Sequence, residues 1–595
     1  MFGLALLLGR LWYLQMIRGE NLRLRSENNR IRFQEIKPLR GLILDTRGRI
    51  LVDNQPSFDL SIIPEATKDI TKVIGILAEL SVPRDAENYQ KAALTRTSRP
   101  FLPIKLERNI GRDKVAIVET NSLSLPGVII DIVPVRKYIY GSALAHVLGY
   151  VGEISNPELE ERSHNKYKAG DIIGKYGIEK YLDKYLCGKS GGEQVEVNVN
   201  GRKLKVLGSV ASIPGDNVVL TIDADLQELC QNAFSGLEGI VTVMDPRDGS
   251  ILAMVSRPSF DPNLFNRGIS GANWDKLSSD ALSPLQNRAI AGQYPPGSIY
   301  KLIVAAAALE EGLITKEKTF FCDGTFRMGN RTFRCWKKGG HGVVDLHRAI
   351  VESCDVYFYN LGEMLGVNKL AEYSRKFGLG SKTGVMLPGE RGGLVPTKEW
   401  KIKSFEEPWQ KGETISLSIG QGFLLVTPLQ LLNAYSAIAN GGNLYRPRIV
   451  KEIKTAKGQL IKEYLPEKIT DLHLSKEHIE VLRKALWGVV NEDRGTGRAL
   501  MRPQRDVSGK TGTAQVIRMP DDDEEDVYQG KVPYKFRDHA LFVCFAPYDT
   551  PEIAVIVIVE HGGHGGSAAA PVARKIIDWY FQNKVEKPSS DGASV

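Results

Sequence analysis

The chain has 595 residues, and its 78 lysines and arginines against 70 acidic residues leave a net charge of +8. That length excludes a single ordinary domain, so two to four are expected, with ample material for a core. The basic excess is mild, and with no zinc-finger spacing, RNP-type aromatic motif or concentrated basic stripe it excludes nucleic acid as the partner. Arginines dense between Arg10 and Arg49 fit a segment beside a membrane better.

Met1 to Ile17 is apolar apart from Arg10 and Gln15 and is followed by the charged Arg18-Gly19-Glu20. At 1.5 Å per residue it spans about 25 Å, slightly short of the ~30 Å hydrocarbon core. Neither a basic start nor a small-residue cleavage site marks a signal peptide. The segment, 1–17, is read as the later part of a single-pass transmembrane anchor whose true start lies upstream; a buried N-terminal helix is the alternative.

Asn21 to Lys37 is polar and predicts a helix or an extended stalk. Two apolar runs around a glycine-marked turn, Gly41-Leu42-Ile43-Leu44 and Arg49-Ile50-Leu51, predict a hairpin. Between Pro64 and Pro126 helical and turn signals mix without resolving. A first folded part is expected over 18–211 and a second over 212–583. The second opens near Pro214-Gly215-Asp216-Asn217 with a strand Val218–Ile222 and a helix from Asp223. A strand Gly239–Met244 follows, then helices after Ser298, over Leu346–Leu365 and over Pro428–Asn440. Strands carry Lys510 and Ala540–Phe545. The β-branched run Ile553–Val559 predicts a buried strand and Pro571–Phe581 a closing helix. The tail 584–595 is expected to be disordered.

The chemistry centres on Ser298-Ile299-Tyr300-Lys301. Three residues apart on a helix, hydroxyl and ammonium share one face within about 5–6 Å. Pro295, Pro296 and Gly297 stop a helix from extending backwards, while Leu302 through four alanines to Leu309 favours one, so Ser298 is expected to open a buried helix. There the helix dipole favours negative charge developing at the serine. Ser353-Cys354-Asp355 follows, and Lys510-Thr511-Gly512-Thr513 comes late.

The order S-x-x-K, S-x-D, K-T-G resembles the motif set of penicillin-binding proteins and β-lactamases. With Val241-Thr242-Val243-Met244-Asp245-Pro246, Gly420-Gln421-Gly422 and Thr427-Pro428-Leu429-Gln430, the chain resembles class B penicillin-binding proteins, most closely the elongation type called penicillin-binding protein 2. Asp355 in place of the usual asparagine is similar to that branch. The resemblance implies a multidomain α+β chain: a β-lactamase/transpeptidase-like fold, an antiparallel sheet flanked by helices, preceded by an elongated β-rich pedestal that begins at Arg40-Gly41-Leu42-Ile43-Leu44-Asp45.

It implies a peptidoglycan D,D-transpeptidase that serves cell elongation, releases D-Ala and is inhibited by β-lactams, with D,D-carboxypeptidase activity as a side reaction. Ser298 would be the nucleophile and Lys301 its base, provided burial and a neighbouring cation, Lys510, disfavour the ammonium. Ser353 and Asp355 complete the catalytic set, Ser353 relaying the proton. Lys510 and Thr511 would offer donors to a carboxylate, Gly512 room for the substrate backbone, and the N–H groups of Thr513 and Ser298 an oxyanion hole. Implied partners are peptidoglycan stem peptides, a SEDS glycosyltransferase of the RodA type and a scaffold of the MreC type. The implied location is the bacterial inner membrane with the catalytic domain in the periplasm. Rival readings are a division-type transpeptidase, a β-lactamase or β-lactam sensor, and a non-catalytic elongation scaffold.

Of six cysteines, Cys322, Cys335 and Cys354 fall with His341 in the spacing C-x12-C-x5-H-x12-C. Three thiolates and an imidazole suit a closed structural zinc site, with Cys354 facing the metal and Ser353, about 100° round the same helix, facing the cleft. Some elongation-type relatives carry zinc at this segment. A Cys322–Cys335 disulfide and free thiols are the alternatives. Cys187, Cys230 and Cys544 read as lone small hydrophobes. His561-Gly562-Gly563-His564-Gly565-Gly566 reads as a glycine-rich turn, and the acidic run 521–526 as a solvated loop.

Overall fold

The computed structural model describes residues 2–20, 31–67, 69–80, 82, 103–161, 167–197, 203–266, 268–516 and 533–585. The acidic run 521–526, stalk residues 21–30 and 586–595 of the expected tail lie outside the described residues, while 584 and 585, expected to be disordered, end the closing helix Ala570–Val585. A helix Phe2–Trp12 continues into a π-helical turn Tyr13–Ile17, and Phe2, Leu4, Leu6, Leu7 and Leu8 are exposed. Among the described residues no helix is long and apolar enough to cross a membrane. The described end of the stalk is extended, not helical: Ile31–Ile36 is a strand paired antiparallel with Gly191–Val197.

The expected hairpin forms between Ile43–Leu44 and Ile50–Ile62. Gly48 takes φ +81° in its turn, where the Asp45 carboxylate accepts the N–H groups of Arg47 at 2.9 Å and Arg49 at 2.8 Å. The second strand runs far beyond the predicted end and pairs with Val128–Tyr138 along its length. Helices Ile70–Glu79 and Gly111–Thr120 pack apolar faces on its outer end around Leu60, Ile62, Val73, Leu77 and Val118, so the described parts of the segment with mixed signals form a small helix-covered lobe. Arg40 is held inside. It donates to Glu179 at 2.5 Å and to Asp183 at 2.8 Å, while Arg136 takes the other oxygen of Glu179 at 2.8 Å. Such a buried group of charges is costly to break by removing one member. At Gly41 a Cβ would lie 1.9 Å from the Asp216 carbonyl oxygen, so only glycine lets these segments meet.

The same sheet reaches into the second part of the chain. Asn217–Leu220 lies parallel to Ile43–Leu44 and antiparallel to Val450–Lys454, which in turn pairs with Leu460–Glu463.

The second domain is built on five strands in the order Ile251–Arg257, Gly239–Met244, Ile553–Val559, His539–Ala546, Ser508–Ala514, every neighbour antiparallel. Side chains alternate between two cores, as the strand period demands. Ala554, Ile556 and Ile558 face the layer containing helices Lys301–Glu310 and Pro428–Ala439; Val555, Val557 and Val559 face helices Ala224–Ala233 and Ala570–Val585. Both faces are covered, which is why Ile553–Val559 is apolar at every position. The Thr427-Pro428-Leu429-Gln430 motif is a helix start: Thr427 and Gln430 form a reciprocal capping box around a proline in the first turn.

Two helix predictions are corrected. Ser298 does not open an α-helix; it lies in a single 3₁₀ turn, Gly297–Tyr300, and the α-helix begins at Lys301. The helix predicted over Leu346–Leu365 is two, Leu346–Val351 and one that starts at Asp355 and is interrupted by non-helical Gly366 (φ +70°), beyond which helix continues to Lys376. The chain breaks between them at Ser353, whose φ is +55°.

Candidate active site and metal centre

Gly297 (φ +54°) sets the serine turn against the K-T-G strand: a Cβ there would come within 2.4 Å of the Thr513 carbonyl oxygen. From the other side Gly420, with φ +73°, accepts the Gly297 N–H at 3.0 Å, and Gln421 Nε2 donates to the Thr513 carbonyl at 3.1 Å. The Tyr435 hydroxyl donates to the Ile299 carbonyl at 2.9 Å. The Gly420-Gln421-Gly422 motif therefore clamps the serine turn and the K-T-G strand together. Ser298 is half-buried, and its hydroxyl hydrogen-bonds no described residue, Lys301 included.

Lys301 is wholly buried at the base of the cleft. Its Nζ donates to the Ser353 carbonyl oxygen at 2.8 Å, to Asp355 Oδ1 at 2.7 Å and to Ser353 Oγ at 3.2 Å. Lys301 also has an anion in direct contact, Asp355, which the sequence reading did not pair with it. Complete burial pushes the Lys510 amine well below the ordinary lysine value; the nearby Lys301 charge pushes the same way and Asp355 works against both.

The strand Ser508–Ala514 carries Lys510, Thr511, Gly512 and Thr513 along one edge of the sheet, paired only with His539–Ala546 among the described strands. At Gly512 a Cβ would meet Ile299 at 3.0 Å and Leu541 at 3.2 Å. Gly512 therefore packs tightly against the serine turn. Thr511 Oγ1 lies 2.8 Å from Thr496 Oγ1, and the Thr496 N–H reaches the Val351 carbonyl at 3.4 Å, two residues before Ser353. Thr496 therefore ties the K-T-G strand to the middle motif, and nothing in its sequence surroundings marks it.

The cysteine cluster sits directly behind Ser353. Cys322 ends the strand Phe320–Cys322, Cys335 follows the hairpin Thr325–Met328 and Arg331–Arg334, His341 precedes Gly342–Val344, and Cys354 caps the helix Asp355–Lys376. Gly340 (φ +69°) closes the loop, since a Cβ there would lie 2.2 Å from the Cys322 carbonyl oxygen. The four ligand atoms lie within 4.8 Å of one another, and all four residues are buried. His341 Nδ1 is 3.6 Å from Cys322 Sγ and 3.5 Å from Cys335 Sγ. A tetrahedral zinc with ordinary Zn–S and Zn–N lengths holds such atoms about 3.6 Å apart, so the residues fit the ion. Nε2 of His341 is buried without a hydrogen-bond partner, which leaves Nδ1 as the working nitrogen. None of the six cysteines is in a disulfide.

Ser353 and Cys354 do diverge, but not as neighbours on one helix. The left-handed backbone at Ser353 separates them, a strained conformation of the kind found at functional sites. Trp336, next to Cys335, joins the two centres: its backbone N–H donates to Asp355 Oδ2 at 2.9 Å, and its indole N–H to the carbonyl oxygens of Glu352 and Ser353, each at 3.1 Å. Among the described residues no other group of three or more metal-ligating side chains closes together. The turn after Ile553–Val559 is glycine-rich as expected; at Gly565 a Cβ would touch the Leu541 carbonyl oxygen at 2.1 Å, so the turn packs against the sheet.

Residues 239–578 match the family model of the penicillin binding protein transpeptidase domain, and residues 35–220 that of the penicillin-binding protein dimerisation domain. The chain belongs to the penicillin-binding protein family. It is a class B penicillin-binding protein of the elongation type. Among similar proteins is the peptidoglycan D,D-transpeptidase MrdA of Haemophilus influenzae, 37% identical over 98% of this chain and 91% of the relative. Penicillin-binding protein 2 of Helicobacter pylori, solved in complex with MreC, superposes with a TM-score of 0.78 at 31% identity, covering 93% of this chain and 99% of that one. A chain from a peptidoglycan synthase complex, whose structure addresses coordination of polymerization and crosslinking, gives a TM-score of 0.72 at 30% identity over 100% of this penicillin-binding protein and 98% of its own length.

Proposed function

We propose that the chain is an elongation-type peptidoglycan D,D-transpeptidase acting through a Ser298 acyl-enzyme. What supports the reading is the convergence of Ser298, Lys301, Ser353, Asp355 and Lys510, drawn from three distant segments, on one buried lysine–carboxylate pair beside a half-buried serine. Ser298 Oγ attacks the carbonyl carbon of the penultimate D-Ala of a donor stem while Lys301, as the free amine, takes its proton. The N–H groups of Ser298 and Thr513 receive the developing oxyanion. As the tetrahedral intermediate collapses, the C–N bond breaks, Ser353 passes the proton from Lys301 to the leaving nitrogen, and D-Ala departs. The amine of an acceptor stem then attacks the ester. Its proton returns through the same groups to Ser298 Oγ, leaving the cross-link. Lys510 and Thr511 hold the donor's terminal carboxylate.

Cys322, Cys335, His341 and Cys354 would hold a structural zinc, which when bound braces the polypeptide behind Ser353. The exposed apolar helix Phe2–Trp12 would belong to an inner-membrane anchor that leaves both domains in the periplasm. An MreC-type scaffold and a RodA-type SEDS glycosyltransferase are the expected partners, since relatives are solved with MreC and in a synthase complex.

Labelling with a fluorescent penicillin tests the reading. A lasting adduct on the native chain and none on Ser298→Ala is expected. No adduct on either, or an adduct that turns over rapidly as in a lactamase, would overturn it.

A further inference from the structure

We infer that Trp336 is a positioning residue for the Lys301 amine, its two N–H groups fixing from outside the acceptors that Lys301 holds from inside. The inference rests on the acyl-transfer reading of Ser298 and Lys301. Lys301 Nζ has three acceptors, the Ser353 carbonyl, Ser353 Oγ and Asp355 Oδ1. Trp336 bonds two of the same groups: the indole N–H shares the Ser353 carbonyl, and the backbone N–H takes Oδ2, the second oxygen of Asp355. A carbonyl oxygen has two lone pairs and a carboxylate more, so donors from both sides are compatible and each limits the other's rotation.

The shared carbonyl belongs to the left-handed residue of the site. Ser353 at φ +55° has a more favourable conformation available, and rotation toward it would swing its carbonyl away from Lys301. The indole N–H opposes that rotation, and it also satisfies the Glu352 carbonyl at the end of the preceding short helix. Packing does not account for the side chain. Trp336 is 60% exposed, yet its donors are all turned inward. Its ring stands edge-on to His341 at 5.5 Å, and Cys335 precedes it in the chain, so residues of the cysteine cluster fix its place. The base and the cluster thus share one side chain.

The test uses the full chain with Trp336 replaced by benzothienylalanine, which keeps the shape of tryptophan and lacks the N–H, alongside Trp336→Phe. Stopped-flow acylation by a fluorescent penicillin separates initial binding from the chemical step. The acylation rate constant is expected to fall about 5- to 10-fold in both variants, the scale of one buried hydrogen bond. The initial dissociation constant, thermal midpoint and metal content should stay at native values. A native acylation rate in the benzothienylalanine chain would overturn the inference, as would a loss accompanied by an equal loss of thermal stability. Failure of the native chain to form any adduct would instead remove the acyl-transfer reading itself.

Discussion

Lys301 Nζ and Asp355 Oδ1 lie 2.7 Å apart, with the lysine entirely out of solvent. The pair explains why the middle motif ends in aspartate here: one carboxylate oxygen faces the ammonium and the other faces the Trp336 N–H. In Asp355→Asn the amide oxygen can still accept from Lys301, but the NH2 group then meets a donor. The variant should lose about 1–3 kcal/mol in urea unfolding, the cost of an unsatisfied buried group, and acylate by penicillin about tenfold more slowly. Both variants leave the ammonium without an anion, but Asp355→Ala also removes its remaining acceptor at this position and should lose more than Asp355→Asn. Equal losses in the two variants would show that the acceptor geometry at this position does not hold Lys301.

Lys510 gives a pH-dependent stability. Its folded value is depressed well below 10.5, so between the folded and unfolded values the unfolded chain binds the extra proton. Stability contributed by this residue therefore rises with pH through that window and is lost as pH falls through the folded value. Lys510→Met removes the effect. The difference in unfolding free energy between native chain and variant should shift in favour of the native chain as pH rises toward 10.5, and a difference constant with pH would contradict the burial argument.

Thr496 is predicted to act on binding rather than on the chemical step. Its hydroxyl shares a hydrogen bond with Thr511 Oγ1; when Thr496 is the donor, the Thr511 proton is free for a substrate carboxylate. Thr496→Val should weaken the initial penicillin complex about 3- to 10-fold with little change in the acylation rate constant, and Thr496→Ser should restore it. A loss confined to the rate constant would place Thr496 elsewhere in the mechanism.

Purified protein should contain one zinc per chain. Chelation should lower the thermal midpoint, since a ligand at about a thousand times its dissociation constant adds about 4 kcal/mol to the native state. Cys354→Ser should retain little metal. Full thiol reactivity in the native chain without zinc in elemental analysis would leave the cluster as free thiols.

The chemistry was more legible in the sequence than the backbone that carries it. Ser298, Lys301, Ser353 and Lys510 are recognisable because the ordered motifs S-x-x-K, S-x-D and K-T-G resemble those of a known family, and Ile553–Val559 because a strand covered on both faces is apolar throughout. The break at Ser353 was hidden, since Leu346–Leu365 carries helical composition across it and only tertiary contacts impose the positive φ. Gly512 and Gly420 were visible as glycines but not as close approaches, because the Cβ that each lacks would meet segments far away in the chain. Thr496 and Trp336 act through a partner's backbone or hydroxyl, which leaves no spacing to read.

The strand Asn217–Leu220 pairs on one side with Ile43–Leu44 and on the other with Val450–Lys454. A catalytic fragment cut to begin at 212 would therefore expose a freshly opened β edge, with unpaired N–H and C=O groups where Ile43–Leu44 had been. Such an edge invites another chain to add a strand, so a truncated enzyme is expected to self-associate, whereas a chain starting before Arg40 keeps its seam closed.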